Sequence, residues 1–360
     1  MGGFFMKRTL SLLLCFALSA ALFAGCGKQG DSASGSGQQP EATPQPIEVY
    51  DYNPLTGLAK DPNVPDGQRP VAVMIDNLRE ALPQSGLSSA DVVLEAVTEG
   101  GITRILAVFT DYKTLPTVGP VRSARDQHAQ FVLPINALFA HIGGSSYANN
   151  LLNYYKYQDI DGYYLGTNAF AFDEARRASK SSEHCWYTNA ALIQQGIDKI
   201  GTLPVTGTLK PLFDFAAADS VVLSNSASTF SLNFSNYADS AFTYDSASGT
   251  YLQSQFGIPH TDANNGSQLA FKNIIVLSSN VSLKKDGFQL EFDLSGGDGW
   301  YVTGGKWSPI KWSKGEPDAP LVLKTADGGK LSINPGKTYI ALLGSDMRGT
   351  VMADGAAIAG

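Results

Sequence analysis

Short runs of aliphatic and β-branched residues mark the first half of the chain. Val71-Ala72-Val73-Met74-Ile75 has no polar position to turn towards water and is bounded by Pro70 and Asp76-Asn77, so it predicts a buried strand. Val92-Val93-Leu94-Glu95 and Ile105-Leu106-Ala107-Val108-Phe109 predict two more, and Glu99-Gly100-Gly101-Ile102-Thr103 between them predicts a hairpin turn. Beyond the Gly119-Pro120 turn the pattern changes. Ser123 followed three residues later by Asp126 fits a helix-opening capping box, and Ala124, Gln127, Phe131 and Ile135 recur at helical spacing. Residues 137–142 then read as a buried strand, Gly143-Gly144-Ser145-Ser146 as a turn, and residues 147–155 as a helix. A last helix is expected over residues 188–200, with Thr188 as its cap and Gly201 as its stop.

The second half has no helical pattern. Phe230, Leu232 and Phe234 alternate with polar residues, and Phe242-Thr243-Tyr244-Asp245 with Tyr251-Leu252 reads as a hairpin turning at Ser248-Gly249. Short strands follow at residues 274–277, 290–292, 300–302, 310–312 and 339–342, parted by Gly, Asn, Asp and Pro. The expected architecture is an α/β N-terminal domain over residues 47–205 and a β-rich C-terminal domain over residues 206–360.

The amino terminus changes the picture. Lys7 and Arg8 precede an apolar run over residues 10–24 that falls short of the about 20 residues a membrane span needs. Basic start, short apolar core and the ending Leu22-Phe23-Ala24-Gly25-Cys26 describe a lipoprotein signal peptide over residues 1–25. Lipidation of Cys26 would anchor the protein to the membrane, since a diacylglycerol supplies the two chains that stable attachment requires. Residues 26–46, rich in Gly, Ser, Gln and Pro, read as a flexible tether. The working part is thus expected on the outer face of the bacterial cytoplasmic membrane.

Charge and cysteine content narrow the function classes. The formal charge is −7, and removing Lys7 and Arg8 with an acid-free leader leaves −9. Without Lys/Arg runs, such a chain is a poor nucleic-acid binder. Of the three cysteines, Cys15 leaves with the leader and Cys26 takes lipid, so Cys185 stands alone and neither a disulfide nor a cysteine-based zinc site can form. No metal or other cofactor is expected.

Several blocks occur in one order: residues 69–77, 99–104, 119–125, 141–145 and 184–188, then 257–262, 299–302 and 312–314. Together they resemble the YerB-like family of bacterial surface lipoproteins over nearly all of the folded part. The resemblance implies a two-domain lipoprotein and carries no assigned reaction. Relatives usually have Asn after the histidine of the His184 block, where this chain has Cys185.

The strongest candidate chemistry is a basic helix start. Arg122, Ser123 and Arg125 surround the expected helix amino end, which favours an anion, and two guanidinium groups add charge-assisted bonds to carboxylate or phosphate. The competing reading pairs these arginines with Asp76, Glu95 or Glu99. Gly143, Gly144 and Ser145 would let a ligand approach the backbone, or would simply turn a strand into a capped helix. His184 and Tyr187 extend the candidate ligand-binding set, with His141 as a possible neighbour. A Cys185–His184 dyad is disfavoured, because neighbours on extended chain face opposite ways. His260 and Asp262 are second-domain candidates that nothing nearby completes into a metal site. Trp300, Trp307 and Trp312 read as core packing or as a sugar-stacking platform.

These observations favour an extracytoplasmic lipoprotein that binds an anionic cell-envelope component, such as a wall fragment, polymer or peptide carboxylate, without catalysis. The alternatives are a hydrolase or transferase acting on wall polymers, with His184 or His141 as base, and a scaffold for another envelope protein.

Overall fold

The computed structural model describes residues 50–359, so the expectations for the leader, Cys26 and the tether lie outside the described residues. The predicted apolar runs form β1 (Val71–Asp76), β2 (Val92–Val97) and β3 (Thr103–Phe109), buried at every position. β2 and β3 are the predicted hairpin. Gly100 and Gly101 turn it at φ of 74° and 77°, a region that side chains with a Cβ avoid. β4 (Leu138–His141) runs parallel to β1, and the short β5 (Ile160–Asp161) runs parallel to β4.

The chain between β3 and β4 departs from expectation. Residues 118–125 do not open a capped helix at Ser123 but continue as extended chain between the carboxyl ends of β1 and β4. Arg122 N donates to Met74 O (2.9 Å) and Ile142 N to Arg122 O (3.1 Å), while Ala124 N donates to Gly143 O (2.9 Å) and Ser145 N to Ala124 O (3.1 Å). Those ladder bonds hold the chain extended as far as Arg125, whose φ and ψ are −128° and 144°. Helix α1 (Asp126–Val132) therefore begins later, and its N-cap, Arg125, makes no side-chain cap.

Helix α2 (Ser146–Tyr154) follows its prediction, with Ser145 Oγ accepting from Ala148 N (3.0 Å). Helix α3 (Ala190–Ile200) ends at Gly201 as expected. It is capped by Asn189, whose Oδ1 accepts from Leu192 N (3.0 Å), because Thr188 spends its hydroxyl on Ala169 O (2.9 Å).

The second half supplies β6 (Thr229–Asn233), β7 (Asp239–Asp245), β8 (Thr250–Gln255), β9 (Asn273–Ser279), β10 (Gly297–Thr303), β11 (Lys306–Ser313), β12 (Val322–Thr325) and β13 (Thr338–Gly344). The large sheet runs β12-β11-β10-β9-β13-β2-β3-β1-β4-β5, so strands from both sides of residue 205 share it. β13 is parallel to both neighbours, with Ala341 opposite Val276 on β9 and Glu95 on β2. β6, β7 and β8 form a second, antiparallel sheet. Its turned-in residues include Phe230, Phe242 and Tyr251, but also Ser240, Gln253 and Gln255.

Trp300 and Trp312 are core residues rather than a sugar platform. Both are buried, and Trp312 Nε1 donates to Ser278 O (3.2 Å) and Asp298 O (3.1 Å). Trp307 is partly buried and packs against the same core. No helix among the described residues is long and apolar enough to cross a membrane.

Candidate functional site

The carboxyl end of β1 gathers most of the predicted residues. Asp76 ends β1 and is the register partner of Arg104 on β3, so the pleat directs both to one face. The inserted segment brings Arg122 to the same place. Its Nε lies 3.2 Å from Asp76 Oδ2, within ion-pair range though not aligned as a hydrogen bond. His184 arrives from a single 3-10 turn, Ser182–His184, and its Nδ1 lies 2.7 Å from the same Asp76 oxygen. Asp76 thus holds two basic side chains by their inner atoms. Neither Nη of Arg122 nor Nε2 of His184 has a protein partner among the described residues. The Arg122 side chain keeps 24% of its surface exposed.

Arg125 is placed differently. Its Nε donates to Glu99 Oε2 (2.9 Å), its Nη2 to Glu99 Oε1, and its Nη1 to Ala124 O (2.9 Å). Burial pushes the Glu99 carboxyl up, but the bonds and charge of Arg125 outweigh it and hold the group at about 2. Arg104 Nη2 lies 3.7 Å from Glu99, and its Nη1 donates to Ser123 O (3.1 Å). Burial, then the charges of Arg125 and Arg122, push Arg104 down to about 9. Glu183 also lies within electrostatic reach of Arg122 and His184, and of these three arginines Arg122 is the one with open donors.

The glycine turn lies alongside. A Cβ on Gly143 would come within 4.0 Å of Ser123 Cβ, and Gly143 N donates to Asp161 Oδ1 (2.7 Å). A Cβ on Gly144 would meet Asn149 Oδ1 at 2.2 Å, so that glycine is needed for packing. His141 has both ring nitrogens against acceptors, Gly143 O (2.9 Å) and Asp159 Oδ2 (3.1 Å), and so has no nitrogen free to act as a base. Tyr187 lines a pocket of about 40 Å³ with His184 and Arg176, room for water rather than a ligand. Cys185 is buried with its Sγ 3.3 Å from Ser181 O, and burial pushes its thiol up, as befits an inert residue.

The second-half candidates meet the first half from behind. His260 Nε2 lies 2.7 Å from Gln84 Oε1, and Gln84 Nε2 donates to Asp76 O (3.0 Å) and Asn77 Oδ1 (2.8 Å). Burial pushes His260 down to about 4, so it is neutral near pH 7. Asp262 accepts from Gly86 N (2.9 Å), Ser88 N (2.9 Å) and Ser88 Oγ (2.6 Å), pinning a first-half turn. Among the described residues no group of three or more His, Cys, Asp or Glu could hold a metal ion.

Two buried titratable groups, His128 and Glu95, hold places that the sequence does not assign them: Glu95 pairs with none of the arginines. His128 is fully buried with Nε2 3.1 Å from Arg104 O, and burial pushes it down to about 3, so it adds no charge beneath the arginines. Glu95 is fully buried on β2. Its Oε1 accepts from Asn77 Nδ2 (2.9 Å) and Thr103 Oγ1 (2.7 Å), and its Oε2 from Tyr339 Oη (2.6 Å) and Ser240 Oγ (3.2 Å). Burial outweighs these donors and pushes its carboxyl up to about 7. A polar residue interrupting an apolar strand is the one sequence signal for it. Asn77 and Thr103 also line an open cleft of about 840 Å³ with Arg79, Asp239, Tyr237 and Phe256.

Residues 55–202 match the N-terminal domain, and residues 230–340 the C-terminal domain, of the family described as "Protein of unknown function (DUF3048)". A curated relative from Bacillus subtilis (strain 168), described as "Putative lipoprotein YerB", is 32% identical over 315 residues, covering 85% of this chain and 90% of its own length. The crystal structure of the YerB protein from Bacillus subtilis aligns with a TM-score of 0.70 at 31% identity, over 81% of this chain and 95% of that one. The chain belongs to the YerB family, an α/β N-terminal and a β-rich C-terminal DUF3048 domain in tandem.

Proposed function

We propose that this protein is a lipid-anchored, extracytoplasmic binding protein that takes a carboxylate or phosphate of a cell-envelope component at Arg122. The observation that carries the reading is the open Nη edge of Arg122, held by Asp76 beside the free Nε2 of His184. A planar guanidinium with two free donors suits bidentate recognition of such an anion. The site lies outside the carboxyl ends of the parallel strands β1 and β4, where open α/β sheets commonly bind ligands. Arg125 belongs to the framework in this reading, since Glu99 already saturates it. Anchoring through Cys26 rests on the leader and on the lipoprotein description of the YerB relative.

Titration calorimetry of the purified chain with short wall peptides bearing a free carboxylate tests the reading. Saturable binding should weaken ten- to a hundredfold in Arg122→Ala, the loss of about 1.5–3 kcal/mol expected for a charge-assisted pair. Unchanged affinity in that variant would contradict it.

A second reading, hydrolysis or group transfer on wall polymers, draws on the Asp76–His184 pair. Nδ1 bonded to a carboxylate leaves Nε2 as a base, with Arg122 beside it to stabilise developing negative charge. It predicts product release from wall material that disappears in His184→Ala while binding persists. Cross-linking in intact cells separates both readings from a scaffold role.

A further inference from the structure

The far end of β1 carries a cavity that the anion site does not use. After Tyr52 the chain doubles back, with Asn53 N donating to Leu58 O (2.8 Å), and then runs to Gln68 over the strand ends at Pro70, Asp91 and Phe109. The space beneath has a volume of about 420 Å³, within the range of small-molecule sites. Leu55, Val64, Leu115 and Leu209 give it an apolar body, and the rings of Tyr52 and Phe109 form aromatic wall.

Its charged groups are mostly acidic. Asp61, Asp66, Asp91 and Asp111 line the cavity against one cation, Lys60, and Asp66 already holds that lysine. Asp91 Oδ2 accepts from Thr110 N (2.8 Å) and Oγ1 (2.7 Å), whereas its Oδ1 has no donor among the described residues. Lys337, the cation acting on Asp91 from outside the cavity, donates its ammonium to Ser88 O. Gln68 is only 3% exposed, and its Nε2 donates to Asp111 Oδ1 (2.7 Å). Because a carboxylate only accepts, that bond fixes the amide orientation and leaves the buried Oε1 without a partner. Burial also pushes the Asp91 carboxyl up, against the bonds from Thr110 and the charge of Lys337.

We propose that this cavity binds a small organic cation, an amine or ammonium group carried on an aliphatic body. An ammonium offers three donors and no acceptor, matching the open Oδ1 of Asp91, and its charge is attracted to the faces of Tyr52 and Phe109. An anion would face four carboxylates, and a neutral apolar molecule would leave the Asp91 oxygen unmet. The site is independent of Arg122, so either can fail without the other.

Titration calorimetry of the purified chain in 0.15 M salt with 1,5-diaminopentane, and with 1-pentanol as its neutral counterpart, tests the assignment. The diamine should bind saturably with one-to-one stoichiometry, and pentanol should not bind. Asp91→Asn should weaken the diamine at least tenfold. Leu209→Trp, which fills the cavity from its rim without altering charge, should do the same and covers the case in which Asp91→Asn does not fold. Absence of saturable diamine binding, equal binding of pentanol, or affinity unchanged in the folded variants would overturn the assignment.

Discussion

Replacing Glu95 by Gln should change how stability depends on pH. Glu95 is fully buried, and burial raises its carboxyl from the ordinary 4.5 to about 7. A carboxyl that protonates more readily in the folded state favours folding while protonated and penalises it once ionised. Its contribution is therefore fully present below about pH 4.5 and is lost as pH rises through 7. At about 1.4 kcal/mol per pH unit the whole penalty is about 3 kcal/mol. About 2.5 kcal/mol of it falls between pH 5 and pH 8. Gln can keep much of the network, its oxygen accepting from Asn77 and its amide donating to the rotatable hydroxyls of Tyr339 and Ser240. Every other titrating group is common to both proteins and cancels in the comparison. Urea denaturation followed by tryptophan fluorescence, with Trp300 and Trp312 in the core, supplies the stabilities at pH 5 and pH 8. Glu95→Gln should gain about 2.5 kcal/mol on wild type between those two conditions. Parallel pH profiles for the two proteins would refute the reasoning.

Arg125→Met should cost roughly 3 kcal/mol at pH 7 by leaving Glu99 with Arg104 at 3.7 Å as its remaining ion-pair partner, read by the same denaturation. Because Glu99 is held at about 2, wild type should lose stability as pH falls from about 4.5 towards 2, and the variant should lose less over that window. Asp262→Ala strips the acceptor from Gly86 N, Ser88 N and Ser88 Oγ and should destabilise by roughly 2–4 kcal/mol; a shift in the urea midpoint within error of zero would contradict its pinning role.

The central strands were legible because their burial is written locally as unbroken apolar runs. Their order was not. Residues 339–342 announce a strand, but its place between β2 and β9 depends on pairings as distant as Leu94 with Ile340. In β8 the expected pattern inverts: Leu252 is half-exposed while Gln253 and Gln255 turn inward to bond Ser240 and Glu95. A hydrophobicity pattern has no means of anticipating a polar interior face. Ser123 and Asp126 satisfy the spacing of a capping box, yet the ladder to Ile142 and Gly143 keeps that segment extended, tertiary pairing overriding a local signal. The arginines were visible as chemistry in the sequence, with Asp76, Glu95 and Glu99 as partners, of which Glu95 instead takes Asn77, Thr103, Tyr339 and Ser240. That Asp76 would also hold His184, 108 positions away, and leave Arg122 with its outer edge open is a property of the fold alone.

The most direct test of the binding account is a crystal structure of the chain soaked with a short wall peptide carrying a free carboxylate. The account predicts that carboxylate on the two Nη atoms of Arg122, next to His184 Nε2, with the Arg125–Glu99 pair unbroken. A peptide bound elsewhere, with the Arg122 edge empty, would contradict it.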